Sequence, residues 1–230
     1  SIILSSLATG TSKITGLLEG EDCLATIEVF RNMGINIVNE RGIYSIEGKG
    51  LRGLEDPKKP LDFGNSGTSI RLCSGILSAQ SFKSTLIGDS SLSSRPMQRI
   101  VEPLKAMGAN ITSKDGSLPL DIFPTDSLKS INYSLPVASA QVKSCIMLSA
   151  LYAEGVTFIE ESMVTRDHTE NMFKHFGIPL EIENSGGKKR IKLSNINSIY
   201  PADMNICGDF SSASFFILAA LICPKSELLI

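Results

Sequence analysis

Three segments of this chain end alike, and nothing else in it restricts the fold as much. Arg31-Asn-Met-Gly34, Lys105-Ala-Met-Gly108 and Lys174-His-Phe-Gly177 recur at intervals of about 70 residues. Self-similarity at a fixed period means one supersecondary unit used repeatedly. Each Gly closes a helical pattern, where a residue of left-handed conformation ends a helix. Each is followed by an alternating strand: Ile35-Asn-Ile-Val38, Ala109-Asn-Ile-Thr112 and Ile178-Pro-Leu-Glu-Ile182. Upstream lies another helix rich in small residues, over 2–8, 69–79 and 139–153. A short strand follows each: Lys13-Ile-Thr15, Thr85-Leu-Ile87 and Val156-Thr-Phe-Ile159. Tyr44-Ser-Ile46 and Arg190-Ile-Lys-Leu193 supply a last strand. The unit therefore reads helix, strand, helix, strand, with one further strand or hairpin.

The second helix of each unit is amphipathic. Ile100, Leu104 and Met107 share one face, as do Met172, Phe173 and Phe176. Pro96 suits a first helical position, and Asp167 with Glu170 has the spacing of a capping box. Three such units can close around a pseudo-threefold axis, with the long apolar helices inside and the sheets outside. The predicted fold is thus an inside-out, barrel-like α/β domain over 1–206, its sheet order unreadable from pattern. The best candidate boundary is Ser198-Ile-Tyr-Pro-Ala-Asp203. A fourth unit opens at Asp209-Phe-Ser-Ser-Ala-Ser214, so 207–230 reads as the start of a second domain.

Composition removes several function classes. The net charge of -2 argues against a dominant nucleic-acid surface, which is normally basic. The longest apolar run, Phe215 to Cys223, falls short of the ~20 residues that span a bilayer. Cys23, Cys73, Cys145, Cys207 and Cys223 are odd in number, form no CxxC pair, and have no His close by. They read as buried, reduced thiols of a cytoplasmic protein, without a zinc site.

Chemistry concentrates at the starts of the small-residue helices: Asn65-Ser-Gly-Thr-Ser-Ile-Arg71, Ser139-Ala-Gln-Val-Lys143 and the cluster opening at Asp209. A helix N-terminus offers free N–H groups and partial positive charge, and small side chains let an anion approach. Ordinary capping explains any one of them; recurrence in every unit favours a shared anion site. Arg95, before Pro96, and Arg166, in Val164-Thr-Arg-Asp-His-Thr169, hold equivalent places in successive units. Each guanidinium can grip phosphate or carboxylate; a surface ion pair with Asp167 is the alternative for Arg166. His168 reads as a shuttle or a capping residue. Lys143 and Arg71 can reach a ligand or make internal pairs. Lys188-Lys-Arg190, after Gly186-Gly187, reads as a solvated hairpin. No Ser/His/Asp triad, GxxxxGK[ST] motif or carboxylate pair is assignable. The residues alone describe an α/β repeat domain that binds a small phosphorylated or carboxylated ligand.

Five stretches in register give more. Leu17-Leu-Glu-Gly-Glu-Asp22, Leu61-Asp-Phe-Gly-Asn-Ser-Gly-Thr68, Gly88-Asp-Ser-Ser-Leu-Ser-Ser-Arg-Pro-Met97, Val137-Ala-Ser-Ala-Gln-Val-Lys-Ser144 and Thr165-Arg-Asp-His-Thr-Glu170 resemble the 5-enolpyruvylshikimate-3-phosphate (EPSP) synthase family. The forms Ser-Ala-Gln and Thr-Arg-Asp-His-Thr-Glu are similar to its class II branch, which glyphosate inhibits less. The resemblance implies a fold of two domains, each of three repeats. It implies enolpyruvyl transfer from phosphoenolpyruvate to the 5-hydroxyl of shikimate 3-phosphate, within aromatic amino acid biosynthesis, with no metal and no cofactor. On this likeness Gly67, Arg95 and Gln141 contact phosphoenolpyruvate. Ser139, Ala140, Gln141, Thr165 and Arg166 hold shikimate 3-phosphate. Arg71 and Asp209 match family positions with an indirect role. The family's Lys-Ser-x-Ser-x-Arg motif does not stand before Ser1, and its acid and base carboxylates belong to the other domain. The expectation is a chain of about one domain, needing the second as partner, binding no nucleic acid or membrane, and inactive alone. A related UDP-N-acetylglucosamine enolpyruvyl transferase usually carries a reactive Cys before the counterpart of Arg95, and the loop 88–94 has none. A non-catalytic ligand-binding module is the non-enzyme alternative.

Overall fold

The computed structural model describes residues 1–230. The first unit runs α1 (Ile2–Leu7), β1 (Thr9–Thr15), α2 (Glu21–Asn32), β2 (Asn36–Glu40) and β3 (Ile43–Lys49). The second runs β4 (Leu61–Asp62), α3 (Gly67–Leu77), β5 (Ser84–Ile87), α4 (Ser90–Ser93), α5 (Gln98–Ala106), β6 (Asn110–Lys114) and β7 (Ser117–Phe123). The third runs β8 (Asn132–Ser134), α6 (Ala140–Ala150), β9 (Val156–Glu161), α7 (His168–His175), β10 (Glu181–Ser185) and β11 (Lys188–Ser194), followed by β12 (Met204–Asn205) and α8 (Phe210–Ile222).

The repeat expected from sequence is present, and its sheets share one plan. The strand orders are β12-β1-β3-β2, β4-β5-β7-β6 and β8-β9-β11-β10. In each, a two- or three-residue strand pairs parallel with the first long strand, and the other pairings are antiparallel. The short strand precedes its unit in the second and third sheets. In the first it comes from beyond the third unit: β12 lies on β1 with Ile14 opposite Met204 and Thr15 opposite Asn205. The three units thereby close into a ring. The segment before β12 is stitched to the same sheet. Thr9 N donates to Ile199 O at 2.8 Å, and Lys13 N donates to Asp203 Oδ1 at 2.7 Å.

α3 and α6 fill the middle because beyond Arg71 and Lys143 they carry only apolar and small side chains, a pattern that burial satisfies. Every residue of α6 from Val142 to Ala150 is buried. α3 buries Ile70, Cys73, Ser74, Gly75, Ile76 and Leu77. The sheets alternate: β3 buries Tyr44, Ile46 and Gly48 and turns the intervening side chains outward. The buried apolar side chains form a single cluster spanning all three units. One core means that the units are not separate domains. Gly34, Gly108 and Gly177 have φ of 82°, 92° and 67°, the left-handed turn expected after each helix.

Several local expectations are corrected. α5 begins at Gln98, so Pro96 lies before the helix and not at its first position, while Pro103 sits inside it. Asp167 makes no side-chain cap on α7. Ile178–Leu180 lead into β10 and do not belong to it. β7 was not readable from the alternation rules, in part because Pro119 interrupts it. Cys73 and Cys145 are buried as expected, but Cys207 and Cys223 are exposed and Cys23 is half-buried. Burial raises the Cys145 thiol to about 12 and raises Cys73 as well. No residue of α8 is buried. No helix is long and apolar enough to cross a membrane.

Candidate functional site

The closest approach of two helices brings the chemistry together. α3 and α6 touch where Gly75 faces the backbone of α6; a Cβ there would lie 2.4 Å from Cys145 O and 2.8 Å from Ser149 Oγ. Ser149 Oγ donates to Gly75 O at 3.1 Å. With the helices so close, their first turns lie side by side. Each is capped by serine: Ser69 N donates to Ser66 Oγ, and Val142 N donates to Ser139 Oγ, both at 3.3 Å.

Between these first turns Gln141 is held at both ends of its amide. Its Nε2 donates to Thr68 Oγ1 at 2.9 Å, and its Oε1 accepts from Arg71 Nη1 at 3.1 Å. Arg71 also donates to Gly67 O at 3.0 Å and Pro96 O at 3.1 Å. Beside it, Arg95 Nη2 donates to Asn65 Oδ1 at 2.5 Å and Ser91 Oγ at 3.3 Å. Asn65 in turn donates to Asp89, which caps α4. Those bonds, with Arg95 nearby, hold the Asp89 carboxyl below its ordinary range. Gly67 leaves room for both guanidinium groups, since a Cβ would lie 2.9 Å from Arg71 Nη1 and 3.1 Å from Arg95 Nη1 and would displace them.

This end of the molecule carries four arginines, with Asp89 near Arg95 and Glu102 near Arg99 as the neighbouring carboxylates. Arg71, Arg95, Arg99 and Arg166 make no ion pair, and Arg71, Arg95 and Arg99 stand close enough for their charges to act on one another. Burial, then the charges of Arg95 and Arg99, press the Arg71 pKa below its usual value. An arginine stays protonated through such a shift. The resulting field, at two helix N-termini, favours an anion.

A pocket of about 160 Å³ opens beside Gln141, lined by Thr68, Ala140, Gln141, Ser144, Arg166 and His168 with Thr169 and Leu72. No carboxylate lines it. Four of the residues singled out from sequence, Ala140, Gln141, Arg166 and His168, meet in it. Gly67 and Arg95 lie in the adjoining cluster, joined to it through Arg71 and Gln141. Ser139 faces a smaller neighbouring pocket with Arg99, Glu102 and Tyr133. Thr165 turns away, giving its hydroxyl and its N–H to Glu161. Thr68, Ser144 and Thr169 were missed as lining residues. Ser144 follows Gln141 by three positions and so shares its helix face, a signal available in the sequence. Its hydroxyl lies 2.6 Å from that of Thr169.

Behind the pocket is a buried charge cluster. Lys143, with none of its side chain exposed, donates to Glu161 Oε2 at 3.1 Å, Glu170 Oε1 at 2.8 Å and Arg166 O at 2.9 Å. Lys189 Nζ donates to Glu170 Oε1 at 2.6 Å. Lys143 therefore makes internal pairs. Glu170 serves this cluster and not a capping box. The expected hairpin of Lys188-Lys-Arg190 exists, but Lys189 on it is buried and not solvated. Arg166 has no ion pair with Asp167.

The family model described as EPSP synthase (3-phosphoshikimate 1-carboxyvinyltransferase) matches residues 1–230. A 3-phosphoshikimate 1-carboxyvinyltransferase of Vesicomyosocius okutanii is 53% identical over 228 residues, covering 99% of this chain and 52% of that protein. The enzyme of the same name from Methylococcus capsulatus is 48% identical, with the same two coverages. The solved structure of EPSP synthase from Acinetobacter baumannii superposes with a TM-score of 0.88 at 47% identity, covering 96% of this chain and 49% of that one. The chain spans about half the length of the curated relatives it matches.

Proposed function

We propose, from the premise that this chain belongs to the EPSP synthase family, that it is the shikimate 3-phosphate platform of a carboxyvinyl transferase. The whole protein joins the 5-hydroxyl of shikimate 3-phosphate to carbon 2 of phosphoenolpyruvate and releases phosphate. The observation that carries this reading is the set of unpaired arginines around the paired N-termini of α3 and α6. Arg166 takes the 3-phosphate in the pocket beside Ala140 and Gln141. Thr165 supports it from behind. Ser139 contributes through the cap of α6, which leaves N–H groups of that helix directed at the ligand. Gly67 and Arg95 receive phosphoenolpyruvate in the adjoining cluster, and Gln141 faces both substrates.

The division of labour follows from charge. Two polyanions repel each other, so holding them in reacting geometry needs fixed cations and dipoles. This chain supplies those from Arg71, Arg95, Arg166 and the two helix ends. Proton transfer to the methylene carbon needs an acid; no carboxylate lines the pocket, and its single imidazole, His168, opens α7 two residues from Arg166, where the 3-phosphate is placed. The acid and its partner base come from the remaining half of the same protein, which is the partner of this surface. Release of phosphate from the two substrates is expected to be undetectable with this chain alone and to appear when it is joined to that half. Turnover by the isolated chain would overturn this division.

Binding is tested on the chain itself by an NMR titration with shikimate 3-phosphate. Saturable shifts are expected at 139–141 and at Arg166. Arg166→Ala is expected to raise the dissociation constant about tenfold or more, the worth of a charge-assisted hydrogen bond. Absence of shifts from a folded chain would remove the platform reading.

A further inference from the structure

We infer that Lys143 is a positioning residue: its buried ammonium clips the backbone of the loop 162–167 so that Arg166 faces the pocket. This deepens the function proposed above and rests on it for the identity of the ligand.

The placement follows from helix geometry. Gln141 and Lys143 are two positions apart on α6, so their side chains diverge by about 200° around the axis. One face of the first turns meets the pocket, and the opposite face enters the core. There a fully buried ammonium must have partners for all its donors. Lys143 finds three: Glu161 at 3.1 Å, Glu170 at 2.8 Å and the carbonyl of Arg166 at 2.9 Å. The third partner belongs to Arg166, which lines the pocket. Glu161 grips the same loop one residue earlier, through the N–H of Thr165 at 3.2 Å and its hydroxyl. The carbonyl of 166 and the amide of 165 are thus fixed from one charged cluster. The Arg166 side chain itself has no ion pair to orient it. Its direction is therefore set by its backbone, which Lys143 holds at residue 166 itself and Glu161 one residue earlier.

Lys189 makes the contrast. It joins the same cluster through Glu170 at 2.6 Å and makes no hydrogen bond to the loop. A cluster that merely stabilises the domain would respond alike to loss of either lysine. A cluster that aims Arg166 responds to Lys143 alone.

Lys143→Met and Lys189→Met are compared in the full chain by amide hydrogen exchange without ligand and by titration with shikimate 3-phosphate. Lys143→Met is expected to speed exchange at the Thr165 amide at least tenfold, with amides of 145–150 unchanged, and to weaken binding at least tenfold. Adding Arg166→Ala to it is expected to cause no more than a further twofold loss, because the arginine is already misdirected. Lys189→Met is expected to leave both readouts within about twofold. If the single variant fails to fold, the charge-balanced pair Lys143→Met with Glu161→Gln, which keeps the Lys189–Glu170 contact, is compared with Glu161→Gln alone, so that the effect of Glu161 on the Thr165 amide is subtracted. An unchanged Thr165 amide, equal effects of the two lysines, or full additivity with Arg166→Ala would each overturn the inference. Loss of protection in Lys143→Met together with no binding by the unaltered chain would uphold the positioning and sink only the ligand assignment.

Discussion

Replacing Gly75 by valine is expected to lower the stability of the chain by roughly 2–4 kcal/mol, read as a lower urea midpoint at unchanged slope. The position is helical and buried, so the argument concerns space and not backbone conformation. A Cβ would fall 2.4 Å from a carbonyl oxygen of α6, an atom that cannot rotate away. The two helices would have to separate, and the Ser149 hydroxyl would lose its bond to Gly75 O. The same separation would pull Gln141 from Thr68 and Arg71. Ligand affinity is therefore expected to fall even where the variant remains folded. A midpoint equal to that of the unaltered chain would show that the helix contact is looser than described.

Replacing Glu170 by leucine is expected to cost about 3–5 kcal/mol at neutral pH, because Lys143 and Lys189 would share Glu161 as their remaining nearby anion. The pH dependence has a definite sign. Burial alone would raise the Glu170 pKa, but the hydrogen bonds from Lys143 and Lys189 outweigh it and leave it below the ordinary value. A carboxylate depressed in the folded state stabilises fully above its unfolded pKa of about 4.3. That contribution is lost as pH falls through the folded value. The stability difference between the two proteins is expected to be flat from about pH 6 to 8 and to shrink below about pH 4. A gap that widens in acid, or none at neutral pH, would contradict the paired state of Glu170.

The fold was legible where the sequence repeats. The helix-ending glycines, the small-residue helices and the alternating strands all fall near their expected places, because each signal is local. Sheet order was not legible, since β4, β8 and β12 are two or three residues long and carry no periodicity. The site was legible as a set of residue types but not as contacts. Small residues in α3 and α6 announce a close helix approach, yet only the fold says that Gly75 meets Cys145 and that Gln141 therefore reaches Arg71. The misreadings of Glu170 and Lys189 share one cause. A charged residue in a polar stretch normally faces water, and the partner that permits its burial lies 19 or more residues away in the chain.

The closure of the ring has a consequence for synthesis. Asn205 must reach Thr15, 190 residues earlier, before the first sheet is whole. At roughly 5–20 residues per second a ribosome needs ~10–40 s to cover that distance. Through that interval the outer edge of β1 stands open, with unpaired backbone groups that any extended segment can meet. The first of the three units is thus the last of them to be completed, and its edge stays open to pairing until Met204 and Asn205 arrive.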